Sequence, residues 1–167
     1  MTHVKHLILL LLPLFLTVQS VPASAQGTSV AFGTIRQDTG LPVEVTADNL
    51  DVDQSTGTAI FTGNVLIGQG EMRLSAARVL VVYRAQNQGI ARLEATGGVT
   101  LVSGPDAAES ERADYSIDDG TIVMTGNVLL AQGASALSAD RMSVQLSDGT
   151  ARMSGRVKTI LQTGGDN

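Results

Sequence analysis

The only imidazoles in the 167-residue chain, His3 and His6, stand within its first six residues, and the chain has no Cys. Once the amino-terminal leader described below is removed, no Ser-His-Asp or Cys-His site can be assembled, and no ligand of the kinds that dominate structural zinc centres is left. Lysine is almost as scarce, with Lys158 the only one beyond Lys5. Carboxylates are what remains for chemistry. Asp51 and Asp53 stand two apart and share a strand face, and Asp118-Asp119-Gly120 could open a calcium loop, but no twelve-residue loop with a final Glu follows, and the glycine-rich calcium nonapeptide is missing. Asp at a hairpin turn hydrogen-bonds its own backbone, which already explains both clusters. A glycosidase carboxylate pair would need aromatic sugar platforms, and the chain has no Trp, two Tyr and three Phe. Gly68-Gln69-Gly70 precedes no helix and so is no phosphate loop. No catalytic residue, metal ligand or cofactor is expected.

The first elements to place are the ends of the chain. Lys5, the apolar run from Leu7 to Val18 and the small-x-small triplet Ala23-Ser24-Ala25 form a secretory signal peptide over residues 1–25, with the mature chain starting at Gln26. The apolar run is well short of the ~20 residues that cross a bilayer, and Pro13 interrupts it. Export follows, to the periplasm or out of the cell, and the absence of Cys fits an oxidising compartment as it would fit others. The formal net charge of −5 is spread without blocks. Nucleic acid is therefore not an expected partner, because binding phosphates takes a concentrated basic face. Arg152, Arg156 and Lys158 read as a solvated strand face. Residues 26–40 and 162–167 read as flexible flanks, leaving 41–161 as one domain.

Within that domain a phrase recurs: Thr62-Gly63-Asn64-Val65, Thr96-Gly97-Gly98-Val99, Thr125-Gly126-Asn127-Val128 and Ser154-Gly155-Arg156-Val157, its glycines 34, 29 and 29 residues apart. Such a period marks stacked supersecondary units. Apolar residues alternate on both sides of each glycine without changing phase, as in Phe61, Val65 and Ile67, in Val99 and Leu101, and in Met124, Val128 and Leu130. The pattern predicts a long strand bent at Gly with the same face kept inward. The intervening strands add Met72, Leu74, Val79 and Val81, then Leu93, then Leu137, Met142 and Val144 to that face, while Leu66 and Leu129 point away. These strands open on Ala47-Asp48, Ala76-Ala77 and Ala139-Asp140, and a fourth on Ala113-Asp114, where the apolar positions come one residue early. Hairpin turns fall at Ser55-Thr56-Gly57, Asn87-Gln88-Gly89, Asp118-Asp119-Gly120 and Ser147-Asp148-Gly149. Pro42 and Pro105 sit at strand beginnings, where no ladder donor is lost.

Four repeats of bent antiparallel strands predict an all-β fold of two facing sheets, an open antiparallel β-jelly roll. Its inward residues are small and aliphatic. Either the sheets close tightly on them, or they stand apart and hold something apolar. The ends of the stack, the strand around Val43 and Val45 and the strand holding Met153 and Val157, are expected to be unpaired edges that recruit further strands.

The signal peptide, Pro42-Val43-Glu44-Val45, Ala47-Asp48, Phe61-Thr62-Gly63-Asn64-Val65, Gln69-Gly70, the run Ala76 to Val81 and Thr125-Gly126-Asn127-Val128 together resemble the OstA-like family, over roughly residues 40–161. The resemblance implies a periplasmic protein of lipopolysaccharide export whose jelly-roll interior takes acyl chains. It also implies end-to-end self-association, with an inner-membrane-anchored partner at the amino-terminal end and the outer-membrane translocon at the carboxy-terminal end. The lysine-rich tail of some members is missing, and Gly98 replaces Asn in the second phrase. A secreted structural or adhesive β-protein with a closed, packed interior is the reading of a different class.

Overall fold

The computed structural model describes residues 28–31, 40–85 and 89–160. The signal peptide expected over 1–25 and the tail expected over 162–167 lie outside them. Eleven strands are β1 (Thr28–Ala31), β2 (Glu44–Thr46), β3 (Asn49–Asp53), β4 (Thr58–Gln69), β5 (Met72–Tyr83), β6 (Ile90–Ser103), β7 (Asp106–Ser116), β8 (Thr121–Gln132), β9 (Ser135–Gln145), β10 (Thr150–Ser154) and β11 (Lys158–Ile160). They form one antiparallel ladder in the order β1-β10-β9-β8-β7-β6-β5-β4-β2, with β3 also on β4 and β11 also on β9. Thus β2 and β3 are the two arms of one bent strand, and so are β10 and β11.

The bend is a bulge. Between Thr62 and Val65 the register slips, so that Gly63-Asn64 together face the single Ala77 of β5. Gly97-Gly98 face Glu111 in the same way, and Gly126-Asn127 face Asp140. Both residues of each pair are left-handed, with φ of 84° at Gly126 and 48° at Asn127. An extra residue in one strand bends it and increases its twist. Because the second residue of the pair faces out, the inward phase survives, as the repeat predicts.

Side chains stitch the corners. Asn64 donates to Asp48 at 2.8 Å, Asn127 to Glu111 at 2.7 Å, and Arg156 pairs with Asp140 at 2.6 Å. The Asp48 and Asp140 amides also donate to the Gly63 and Gly155 carbonyls, each at 2.9 Å. The Arg156 hydrogen bonds hold the Asp140 carboxyl below its ordinary range. At the remaining corner the acid is replaced by Ala77 and the amide by Gly98, so that stitch is missing.

This geometry removes the one-residue slip read at Ala113-Asp114. Glu111, not Asp114, holds the place of Asp48 and Asp140, so Glu111-Arg112-Ala113-Asp114-Tyr115 aligns with Asp140-Arg141-Met142-Ser143-Val144 and the inward residues fall in step. Nine residues separate the paired Val82 and Arg92 where four separate the equivalent Ser116 and Thr121, which accounts for the 34-residue interval among 29s.

The corners divide the ladder into two facing sheets. The first holds β1, β3, β10 and the halves of β4–β9 that pair with them; the second holds β2, β11 and the other halves. One continuous apolar cluster fills the space between.

One expectation is corrected at the amino terminus. Residues 28–31, read as part of a flexible flank, pair with β10 from Thr28↔Met153 to Ala31↔Thr150. The edge of β10 offers unpaired donors and acceptors, and the chain's own first strand satisfies them.

A Cβ at Gly97 would stand 2.8 Å from the Ala77 Cβ, whereas one at Gly133 would meet nothing. Both positions have positive φ. Gly133→Ala therefore carries left-handed strain alone, about 1–2 kcal/mol, while Gly97→Ala adds a contact that Ala77 cannot rotate away from. Urea unfolding is expected to show the larger loss for Gly97→Ala. Equal losses would mean the corner tolerates a side chain.

Candidate functional site: an apolar interior with one polar rim

Inward positions run from each corner to the row of turns at the far end of the sheet. On the second sheet they read Val65-Ile67-Gln69, Ala76-Leu74-Met72, Val99-Leu101-Ser103, Ser110-Ala108-Asp106 and Val128-Leu130-Gln132, apolar in depth apart from Ser110 and polar at the rim apart from Met72. Gln69, Ser103 and Asp106 are buried and Gln132 is half-buried. The opposing rim, on the first sheet, is formed by Tyr83, Ile117 and Leu146. The interior is thus an apolar slot with one polar lip and one apolar lip.

The rim is hydrogen-bonded. Tyr115, on the first sheet, donates across the slot to the Gln69 side-chain oxygen at 2.6 Å, and the Gln69 amide donates to the Leu41 carbonyl at 2.9 Å. Gln132 donates to Asp106 at 2.8 Å. No buried side-chain polar atom among the described residues lacks a partner. Burial pushes the Tyr115 phenol up to about 12, against a smaller opposite pull from the Gln69 bond.

Every side chain expected on the inward face lies there. Val65, Ile67, Met72, Leu74, Val79, Val81, Leu93, Val99, Leu101, Met124, Val128, Leu130, Leu137, Met142 and Val144 are buried, and Phe61 is half-buried against them. Leu66 and Leu129 are 42% and 43% exposed, on the other face as expected. Of the two interiors left open by composition, the closed one is found: the sheets meet on small aliphatic side chains. A cleft of about 360 Å3, lined by residues such as Leu41, Pro42, Glu44 and Arg73, lies beside β2. The rim residues and Tyr115 were not picked out from the sequence, although continuing the alternation two steps from Ile67 or Leu130 arrives at Gln69 and Gln132.

The stacking edges are less symmetrical than expected. Val43 and Val45 are half-buried at the β2 edge. Met153, expected at an open edge, is fully buried in the core, and the outer side of its strand is taken by β1. Val157, between β10 and β11, is exposed, and among the described residues β11 pairs only with β9. No group of three or more potential metal-ligating side chains occurs among the described residues.

Residues 44–150 match the family described as LptA/(LptD N-terminal domain) LPS transport protein. The chain belongs to that family. It is a family of transport proteins. A protein of Rhizobium meliloti (strain 1021), described as uncharacterised, is 32% identical over 109 residues, 61% of this chain and 59% of that protein. The chain therefore matches little more than half the length of that relative. Among solved structures, LptH, the LptA-homologous periplasmic component of the lipopolysaccharide transport device of Pseudomonas aeruginosa, superposes with a TM-score of 0.67. That match is at 15% identity, over 75% of this chain and 99% of LptH, and speaks to the fold.

A raised phenol pKa is a statement about stability. With the folded value near 12 and the unfolded one about 10, the protonated Tyr115 contributes fully below about pH 10 and its contribution is lost as pH rises toward 12. Ultraviolet titration is expected to show a tyrosinate step near pH 12 that Tyr115→Phe removes. A wild-type chain in which every phenol ionises near 10 would mean that Tyr115 is not buried.

Proposed function

We propose that this chain is a periplasmic bridge segment that shields the acyl chains of lipopolysaccharide and passes the lipid from an inner-membrane complex toward the outer-membrane translocon. The observation that carries the proposal is the slot itself, apolar in depth apart from Ser110 and mainly polar along one lip. An amphipathic lipid has the same division, with hydrocarbon to bury and a headgroup to leave in water. Family membership supplies the lipid class, and the periplasmic LptH, which shares the fold, supplies the compartment.

Since the slot is closed on its own side chains, lipid entry requires the rims to part. The Tyr115–Gln69 hydrogen bond spans the two sheets at the rim and is the interaction that parting breaks. Its net worth is about 1 kcal/mol, small enough to exchange for acyl contacts with Met124, Met142 and Leu130. Methionine is unbranched and adapts to irregular partners.

End-to-end stacking follows from the same repeat. Glycine strands β4, β6, β8 and β10–β11 alternate with acid strands β2–β3, β5, β7 and β9, the acid being Ala in β5. The run of repeats from β2 to β11 opens on an acid strand and closes on a glycine strand, so a second copy continues the alternation. By the family resemblance, the Val43 end faces the inner-membrane partner and the Met153 end the translocon.

A packed structural protein is the second reading, favoured by the closed interior. Photo-crosslinking separates the two. Crosslinkers at Phe61, Val65, Val128 or Met142 are expected to capture lipopolysaccharide, and crosslinkers at Leu66 or Leu129 are not. Equal labelling of both faces, or none on the inner one, would contradict the slot. Val128→Asp places an unpaired charge among acyl chains at a cost of several kcal/mol and is expected to cut capture at least about tenfold. Circular dichroism of the variant tells lost binding from lost folding.

A further inference from the structure

The outer side of β10 is the place where the stack proposed above would continue, and there the chain has laid its own β1. The position can be specified residue by residue. In the interior junctions the strand after a glycine strand pairs in a fixed way: Met124 with Met142, Ile122 with Val144 and Thr121 with Gln145. Carried along the repeat to β10 and an incoming β3, the same register sets Met153 against Leu50, Ala151 against Val52 and Thr150 against Asp53. In the single chain Leu50 and Val52 pair inward with Phe61 and Ala59 on one side only and are left 52% and 61% exposed. They are core positions awaiting a neighbour. Yet Met153 is paired with Thr28 and Ala151 with Val30.

We propose that β1 is a built-in cap that occupies the β10 edge in the single chain and must be displaced before β3 of a second copy can dock. This inference rests on the end-to-end stacking proposed above and adds its regulation. The two strands compete for the same ladder partners. β1 has the advantage of its tether, which presents it at an effective concentration that can reach millimolar. β3 has the better residue opposite Met153, since Leu50 carries more apolar surface than Thr28, while Val52 and Val30 are equivalent opposite Ala151. β11, which β1 does not reach, has no partner but β9 among the described residues, and an incoming β2 can land there first. Stacking then begins at β11 and proceeds by replacing β1 on β10, so single chains persist at low concentration and lengthen only above a threshold.

Sedimentation velocity over a wide concentration range tests the cap, using the mature chain, a chain lacking residues 26–39, the variant Val30→Pro, which disrupts the β1 strand, and Leu50→Asp, which spoils the incoming face. Removing or breaking β1 is expected to lower the concentration at which oligomers form by about tenfold or more, as loss of a tethered competitor should, and Leu50→Asp should raise it. Val30→Pro keeps every other residue, so it guards against a deletion that merely exposes a sticky edge. If the shortened chain and Val30→Pro associate no more readily than the mature chain, the cap is wrong and stacking stands. If Leu50→Asp alone fails to change association, the docking register is wrong. Monomers throughout, in every variant, would overturn stacking and the cap together.

Discussion

A strand that bends sharply must still send its side chains alternately to the same two faces, or the core on one side of the bend becomes the surface on the other. This chain meets that constraint with a two-residue left-handed bulge, and every larger feature depends on it. Gly126-Asn127 and its counterparts turn each strand through the corner, keep Met124 and Val128 on one face, and so let a single run of residues line both sheets. Four corners in register produce the facing sheets. The Asn64–Asp48, Asn127–Glu111 and Arg156–Asp140 contacts hold three of them, where a non-glycine residue sits in a conformation that L side chains disfavour. At Gly97-Gly98 two glycines need no such support.

Much of this was legible because the two-residue period is a direct physical signature. Stepping by twos through Val65 and Val128 separates inward from outward residues with no knowledge of the fold, and Leu66 and Leu129 fall on the correct side. The corner glycines were legible for the same reason. The acid that faces each corner was not, because its partner is distant in sequence: Glu111 lies 15 residues before Gly126, and the nearby Ala113-Asp114 imitates the repeat more closely than Ser110-Glu111 does. The rim was missed because polar residues on an apolar face look like the end of the pattern. Gln69 and Gln132 continue it, and they are tolerated inside because each finds a hydrogen-bond partner. β1 carries no periodic signature in four residues. Only the open edge of β10 explains its position.

Function in such a chain comes from distribution of polarity. The described residues hold no His or Cys, and the inward face is a long run of Val, Leu, Ile, Met and Ala bordered by amides, a carboxylate and one buried phenol. In the proposed function this closed interior exchanges its own contacts for those of hydrocarbon. The same repeat that makes the slot also leaves unlike ends. Unlike ends that join do so without closing, and the proposed bridge would then take its length from what it spans.

The central claim is that the slot takes the acyl chains of lipopolysaccharide. Mass spectrometry of lipid extracted from the protein purified out of its own periplasm tests it most directly, with an Arg or Asp at Val65 or Val128 as the reference for background lipid. The account predicts lipopolysaccharide recovered with the wild-type chain and depleted from folded slot variants. Purification without lipid, or with bulk phospholipid that the slot variants retain equally, would contradict it.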